Sequence, residues 1–262
     1  MIIIDKIIHP KSIDDYEQKI PKKIFQTWET NELHEEMYNS IMTIINLNPE
    51  YEYHFFDGND RRKFIEDNFD EDILRAYDNF IPGAYKADLW RYCVLYKSGG
   101  VYLDCKQVHF EPLKEIIKND IDFAICRDRP VGFLYNAFIA STPGNKLLNY
   151  LINECVVNSR NNYYGLNPLS ITGPHMVGSL FNKLLGRNDR EPYLLETYDI
   201  DGIRVDVPIE YETEGEKNVK DRSGKLVFET RYDGYYNQTY GDIVSKYHRL
   251  WHENGVYQNE KK

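Results

Sequence analysis

The order of apolar segments predicts an α/β fold, a mostly parallel mixed sheet covered by helices on both faces. Three observations carry this reading. Strand-like and helix-like runs alternate from residue 20 onward. No internal repeat or low-complexity linker interrupts them. The chain has 262 residues, 42% hydrophobic and 14% aromatic, which is enough for one sizeable core and implies a single domain over 1–262.

The elements follow in order. Ile20 to Trp28 reads as a strand. From Glu32 to Leu47, residues Leu33, Met37, Ile41, Ile44 and Ile45 share one helical face, and Asn48-Pro49 stops the helix. Tyr51 to Phe56 is a second strand, and the charged stretch 60–80 reads as two short helices. A helix from Ala84 to Lys97 ends at Gly99-Gly100, and a strand from Val101 to Leu103 runs into Asp104. Later strands are expected at Asp122 to Cys126, Phe133 to Ser141, Ile203 to Val207 and Lys225 to Arg231. Helices are expected at Asn145 to Val157, His175 to Leu185 and Asp242 to Glu253, with Glu210 to Arg222 a charged loop or lid.

Composition removes some function classes. A net charge of −10 with no basic stripe opposes nucleic acid as a general partner. The 22 tyrosines suit stacking on sugars and bases, and equally fit an AT-rich genome. Cys93, Cys105, Cys126 and Cys155 form no CxxC pair, so free buried thiols in a reducing compartment are expected. The opening MIIIDKIIHP is broken by Asp5 and Lys6, too short for a signal-peptide core or a membrane span. A soluble, cytoplasmic chain with no membrane span is the expectation.

The block Ala84 to Lys106, AYKADLWRYCVLYKSGGVYLDCK, carries the chemistry. Asp88 and Arg91 lie three apart on one helical face, either a surface ion pair or a pair of ligand grips. The helix stops at two glycines and returns through an apolar strand to Asp104. Sheets of this type bind ligands beyond the carboxyl ends of their strands, where Asp104 emerges. A diphosphate sugar needs a cation for its phosphates and hydrogen-bonding groups for its hydroxyls. These residues supply such parts.

This block resembles the centre of glycosyltransferase family 32, the sugar-binding region that contains the Asp-Xaa-Asp motif. IPKKIFQTW at 20–28, Asn48-Pro49 with 51–57, NAFIASTPG at 136–144 and Thr172-Gly173-Pro174 resemble the family's other segments, in order. The resemblance implies a GT-A fold that takes a hexose from a nucleotide sugar, with UDP preferred and GDP possible. It implies transfer with retention of configuration to a glycan or other hydroxyl acceptor. Residues 20–140 would form the donor half, and 141–262 the acceptor side and closing segment. By position, Gln26, Thr27 and Trp28 would lie near the nucleotide, and Asp88 and Arg91 would grip the donor sugar. Tyr102 joins this donor-binding set. Asp104, Lys106 and Asn136 form the implied catalytic set.

One position departs from the family. Asp104-Cys105-Lys106 has Lys106 where a second acidic residue is expected. Two carboxylates suit Mn²⁺ or Mg²⁺, and a carboxylate beside an ammonium suits them less. Either a divalent cation is held by Asp104 with donor phosphates and a late residue such as His248 or His252, or Lys106 itself neutralises the leaving diphosphate. Two alternatives to a transferase remain in view. A dinucleotide-dependent oxidoreductase lacks its GxGxxG. A degenerate relative that binds nucleotide or glycan without turnover would carry Lys106 as its mark.

Overall fold

The computed structural model describes residues 1–13, 16–212, 217–239 and 244–258. At its centre the Lys23–Thr27 strand lies between Glu52–Phe56 and Gly100–Leu103, parallel to both. Leu134–Ser141 follows, antiparallel to Gly100–Leu103 on one side and to Phe123–Arg127 on the other. Phe123–Arg127 then pairs in parallel with Ile203–Asp206 and Ile209–Tyr211. From Ile209–Tyr211 the sheet continues antiparallel through Asn218–Asp221 and Leu226–Glu229 to Val108–His109.

The sheet is therefore mixed, and the connection 128–133 explains why. Parallel neighbours need a crossover of about a dozen residues or more, whereas a short connection permits only a hairpin. This hairpin brings the start of Leu134–Ser141 to the edge where its neighbours end. The charged stretch 210–222, expected as a loop or lid, contains parts of two paired strands, Ile209–Tyr211 and Asn218–Asp221. Its charges obscured the pattern because Glu210, Glu212 and Lys220 are half-buried beside buried Tyr211 and Val219. The alternation is present, but only half of it is apolar.

Along each central strand, successive side chains enter opposite cores. Ile24, Val101, Leu103, Ala124 and Cys126 face the helix Glu35–Leu47. Phe25, Tyr102, Phe123 and Ile125 face the helices Gly83–Ser98, Lys146–Arg160 and Pro174–Leu184. Both sheet faces are thus covered, as the sequence predicts. The four cysteines are free and buried. No described helix is long and apolar enough to cross a membrane.

The helix Gly83–Ser98 fixes the site. Buried residues run through it from Tyr85 to Leu95 with little polar relief, so it sits inside the molecule. Gly99 (φ 61°) and Gly100 (φ 112°) then reverse the chain into the central strand. A Cβ on Gly100 would lie 2.7 Å from the carbonyl oxygen of Lys23, so the strand can pass only with glycine there. Any polar side chain on this helix must find partners inside the protein.

Candidate active site

The carboxyl edge of the sheet collects chain segments distant in sequence. Asp104 follows the Gly100–Leu103 strand, Asp128 follows Phe123–Arg127, and Arg231 lies just beyond Leu226–Glu229. Asn136 enters the same edge because its strand runs the other way. A cleft of about 1010 Å³ opens there, lined by Asp88, Arg91, Asp104, Lys106 and Asn136 among others.

Asp88 and Arg91 are not a surface pair: they are 8% and 6% exposed. Asp88 Oδ1 accepts from Asn136 Nδ2 at 3.0 Å and lies 3.2 Å from Arg91 Nη2, and Oδ2 accepts from the Thr172 hydroxyl at 2.7 Å. Arg91 Nη1 donates to the Asn136 carbonyl at 2.7 Å. Asn136 Nδ2 also donates to the Tyr92 hydroxyl, which itself donates to the Thr172 carbonyl. Helix, strand and the Thr172-Gly173-Pro174 turn are thereby joined through one carboxylate. Burial pushes the Asp88 carboxyl up to about 6, against the opposing pull of Arg91, Thr172 and Asn136.

Asp104 is half-buried and held from both sides. Its Oδ1 accepts from the Tyr102 hydroxyl at 2.8 Å and faces Arg91 Nη2 at 3.7 Å, and its Oδ2 lies 3.1 Å from Lys106 Nζ. Burial acts to raise its pKa, but Lys106, Arg91 and Tyr102 together hold it below the usual carboxylate value. Asp104 is thus an anion ringed by donors, at the end of a rigid strand.

Several expected donor residues sit beneath the cleft rather than in it. Gln26 is buried, donates from Nε2 to the Asp104 carbonyl at 3.3 Å and accepts from the Tyr53 hydroxyl. Thr27 is buried and bonds to the Phe56 carbonyl and to Arg61. Trp28 is half-buried against the core beside the Glu35–Leu47 helix. Tyr102 is 2% exposed, with its ring 4.1 Å beneath the Arg91 guanidinium. Gln26 and Tyr102 hold Asp104, Thr27 ties its strand to Phe56 and Arg61, and none of the four side chains lines the cleft. Strand alternation alone could not separate lining from support. His248 lies exposed on the helix Val244–His252 beside the Tyr247 ring, and no described contact joins it to Asp104. His252, also exposed, stands beside Trp251.

Among the described residues, no three His, Cys, Asp or Glu side chains converge as a cation site. Asp104 alone, already paired to an ammonium, does not fit a resident divalent cation. Mg²⁺ is commonly bound by one or two carboxylates together with substrate phosphates. A cation fits here only as part of a donor complex.

Residues 34–122 match the family described as glycosyltransferase sugar-binding region containing DXD motif. Over that stretch the chain is similar to glycosyltransferase sugar-binding regions. That region includes Asp88, Arg91 and Asp104 and ends before Asn136 and Thr172. Inositol phosphoceramide mannosyltransferase 3 of Schizosaccharomyces pombe is 35% identical over 104 residues, 40% of this chain and 29% of its own length. Inositol phosphoceramide mannosyltransferase 2 of the same yeast is 32% identical over 170 residues, 64% of this chain and 48% of its own. An uncharacterized glycosyltransferase, L373 of Acanthamoeba polyphaga mimivirus, is 29% identical over 150 residues, 57% of this chain and 54% of its own. The chain thus spans about a third to a half of these relatives' lengths. The solved structure titled PaToxG Glycosyltransferase superposes with a TM-score of 0.51 at 18% identity, over 63% of this chain and 68% of that one. Together with the sheet order, this likeness gives the fold as GT-A type.

The sequence reading missed Tyr92 as a member of the polar network, because a tyrosine inside a buried helix reads as core. It also missed the far wall of the cleft, where Asp128, Arg129, Tyr211 and Arg231 come from three segments spread over about a hundred residues. No local motif marks them.

Proposed function

We propose that this chain is a glycosyltransferase that moves a hexose from a nucleoside diphosphate sugar to a hydroxyl acceptor at the Asp104 cleft. The observation that carries the reading is the Asp88–Arg91–Asn136 network, lining the cleft beside an anionic strand-end carboxylate. A donor sugar presents hydroxyls, and Asp88 and the Asn136 amide oxygen offer acceptors, and the Arg91 guanidinium donors, already locked in position. Such preorganisation spares the cost of ordering polar groups when the substrate arrives.

In the reaction, the bond between the anomeric carbon and the β-phosphate oxygen breaks, and a bond to the acceptor oxygen forms. The acceptor's proton passes to the departing phosphate oxygen on the same face, which retains configuration. Lys106 and Arg91 supply positive charge beside that phosphate. A divalent cation that arrived with the donor would be held at Asp104 and would offset phosphate charge there, alongside Lys106. The relatives' names give the sugar, mannose, but not the nucleotide, and inositol phosphoceramide as acceptor. Mannose is therefore the first sugar to test, with a polyol phosphate headgroup as the first acceptor class.

Thermal unfolding with GDP-mannose, GDP, UDP-glucose and UDP, each with and without Mn²⁺, tests this reading. A ligand at a hundred times its dissociation constant stabilises by about 2.7 kcal/mol, which moves the melting temperature by several degrees. One nucleotide sugar should give that shift, larger than its free nucleotide gives. No shift with any of them contradicts the proposal. A binding-only relative has one observation in its favour, the Lys106–Asp104 pair, and would give the shift without ever releasing nucleotide.

A further inference from the structure

Most charged groups lining the cleft pair off among the described residues, and two arginines and one aspartate are left over. Asp88 pairs with Arg91, Asp104 with Lys106, Glu210 with Arg127, and Glu212 with Lys220. Arg129 and Arg231 also line the cleft, and neither forms an ion pair with a described residue. They converge on one aromatic ring. The Arg129 guanidinium lies over Tyr211 at 4.2 Å from the ring centroid. Arg231 Nη1 reaches the Tyr211 hydroxyl at 3.5 Å and the Thr230 hydroxyl at 3.4 Å, and its guanidinium lies over Tyr236 at 4.9 Å. Ring stacking leaves the planar N–H edge of a guanidinium available, the edge that matches a phosphate bidentately.

Two unpaired arginines in one wall run against the rest of the molecule, whose net charge is −10. Like charges held at the face and at the hydroxyl of one tyrosine repel each other, and an anion that bonds to both relieves that repulsion. The neighbouring Asp128 has no ion-pair partner among the described residues and accepts a hydrogen bond from the Arg129 amide at 2.8 Å. It lines the same cleft and keeps lone pairs for a hydroxyl.

We infer that Arg129 and Arg231, set about Tyr211, bind a phosphate carried by the acceptor, with Asp128 receiving one of that acceptor's hydroxyls. The ligand class is a polyol or sugar phosphate. The donor's diphosphate is the other possible source of such an anion. It already has Lys106 and Arg91 at the Asp104 end, whereas Arg129 is exposed on the 128–133 connection at the cleft wall. This inference rests on the proposed transferase reading for its use, but not for its test.

Titration calorimetry with the full chain, using myo-inositol 1-phosphate, myo-inositol, GDP and UDP as probes, decides it. Wild type should bind the phosphate ester about tenfold or more tighter than the parent inositol, the scale of charge-assisted contacts. Arg129→Gln with Arg231→Gln should erase that preference while nucleotide affinity stays unchanged. Arg129→Lys with Arg231→Lys should keep part of it, which separates charge from lost structure. Wild type with no preference for the ester, or a double Gln variant that keeps it, overturns the inference. Equal loss of nucleotide affinity also overturns it and gives the arginines to the donor. Failure of wild type to bind any nucleotide or nucleotide sugar instead counts against the transferase reading, and leaves the ester preference to be judged by itself.

Discussion

The inner floor of the cleft and its outer wall use similar residues in opposite ways. On the floor, Asp88, Arg91 and Asn136 are buried and bonded to one another. On the wall, Arg129 is exposed, Arg231 is half-buried, and both rest on tyrosine rings without an ion pair among the described residues. A closed network holds one geometry and, on the proposed function, suits a substrate part that never changes, the donor sugar. Open cations on loops suit a part that differs between acceptors. The difference teaches that rigidity in this site follows the depth of the helix Gly83–Ser98, not residue type.

The largest expected effect lies on the floor. Removing one partner of a buried ion pair typically costs about 3–5 kcal/mol, because the remaining charge stays desolvated. Arg91→Ala should therefore lower stability by that order in denaturant unfolding and abolish the donor-sugar increment over free nucleotide. Arg129→Gln, on the open wall, should leave stability nearly unchanged. Similar losses from both would erase the distinction between floor and wall.

A smaller effect concerns pH. The Asp88 carboxyl titrates at about 6 in the folded protein, above its ordinary 3.8. A raised carboxyl pKa favours the protonated form on folding, so its contribution to stability is fullest below 3.8 and is lost as pH rises through about 6. Donor-sugar affinity should move the other way. Only the ionised carboxylate has all its lone pairs for sugar hydroxyls, so affinity should rise by a few-fold between pH 5 and about 7. The groups facing Asp88 are Arg91, Thr172 and Asn136, with Asp104 acting at longer range, and none of the four is raised into that window. Asp128 on the wall is, since burial also pushes it to about 6. The measurement therefore uses free nucleotide as the reference, and Asp88→Asn should flatten the profile. A profile unchanged in that variant would move the titration to the wall.

How much of this was legible in the sequence depended on distance along the chain. The helix from Ala84, the Gly99-Gly100 stop and the return to Asp104 lie within about twenty residues, and local pattern was enough to read them. Asp88 and Arg91 are legible as neighbours but not as buried, because charged side chains three apart on a helix read equally well as an exposed ion pair. The family resemblance puts Gln26, Thr27 and Trp28 near the nucleotide, whereas hydrogen bonds turn Gln26 and Thr27 toward support of the Asp104 and Phe56 backbones. The wall was not legible at all. Arg129, Tyr211 and Arg231 meet only because three strands of one sheet end at the same edge, which is a property of register and not of composition.

Nucleotide release by wild type and Asp104→Asn shows whether this cleft turns over a nucleotide sugar at Asp104. Asn keeps the shape and the Tyr102 hydrogen bond while removing the charge that Lys106 and Arg91 surround. Release of GDP or UDP from its sugar, in the presence of an acceptor and Mn²⁺, should fall by about 10²–10³-fold in the variant, the scale seen when a preorganised polar group is lost. Binding of free nucleotide should survive. Turnover in Asp104→Asn close to wild type would remove Asp104 from the reaction.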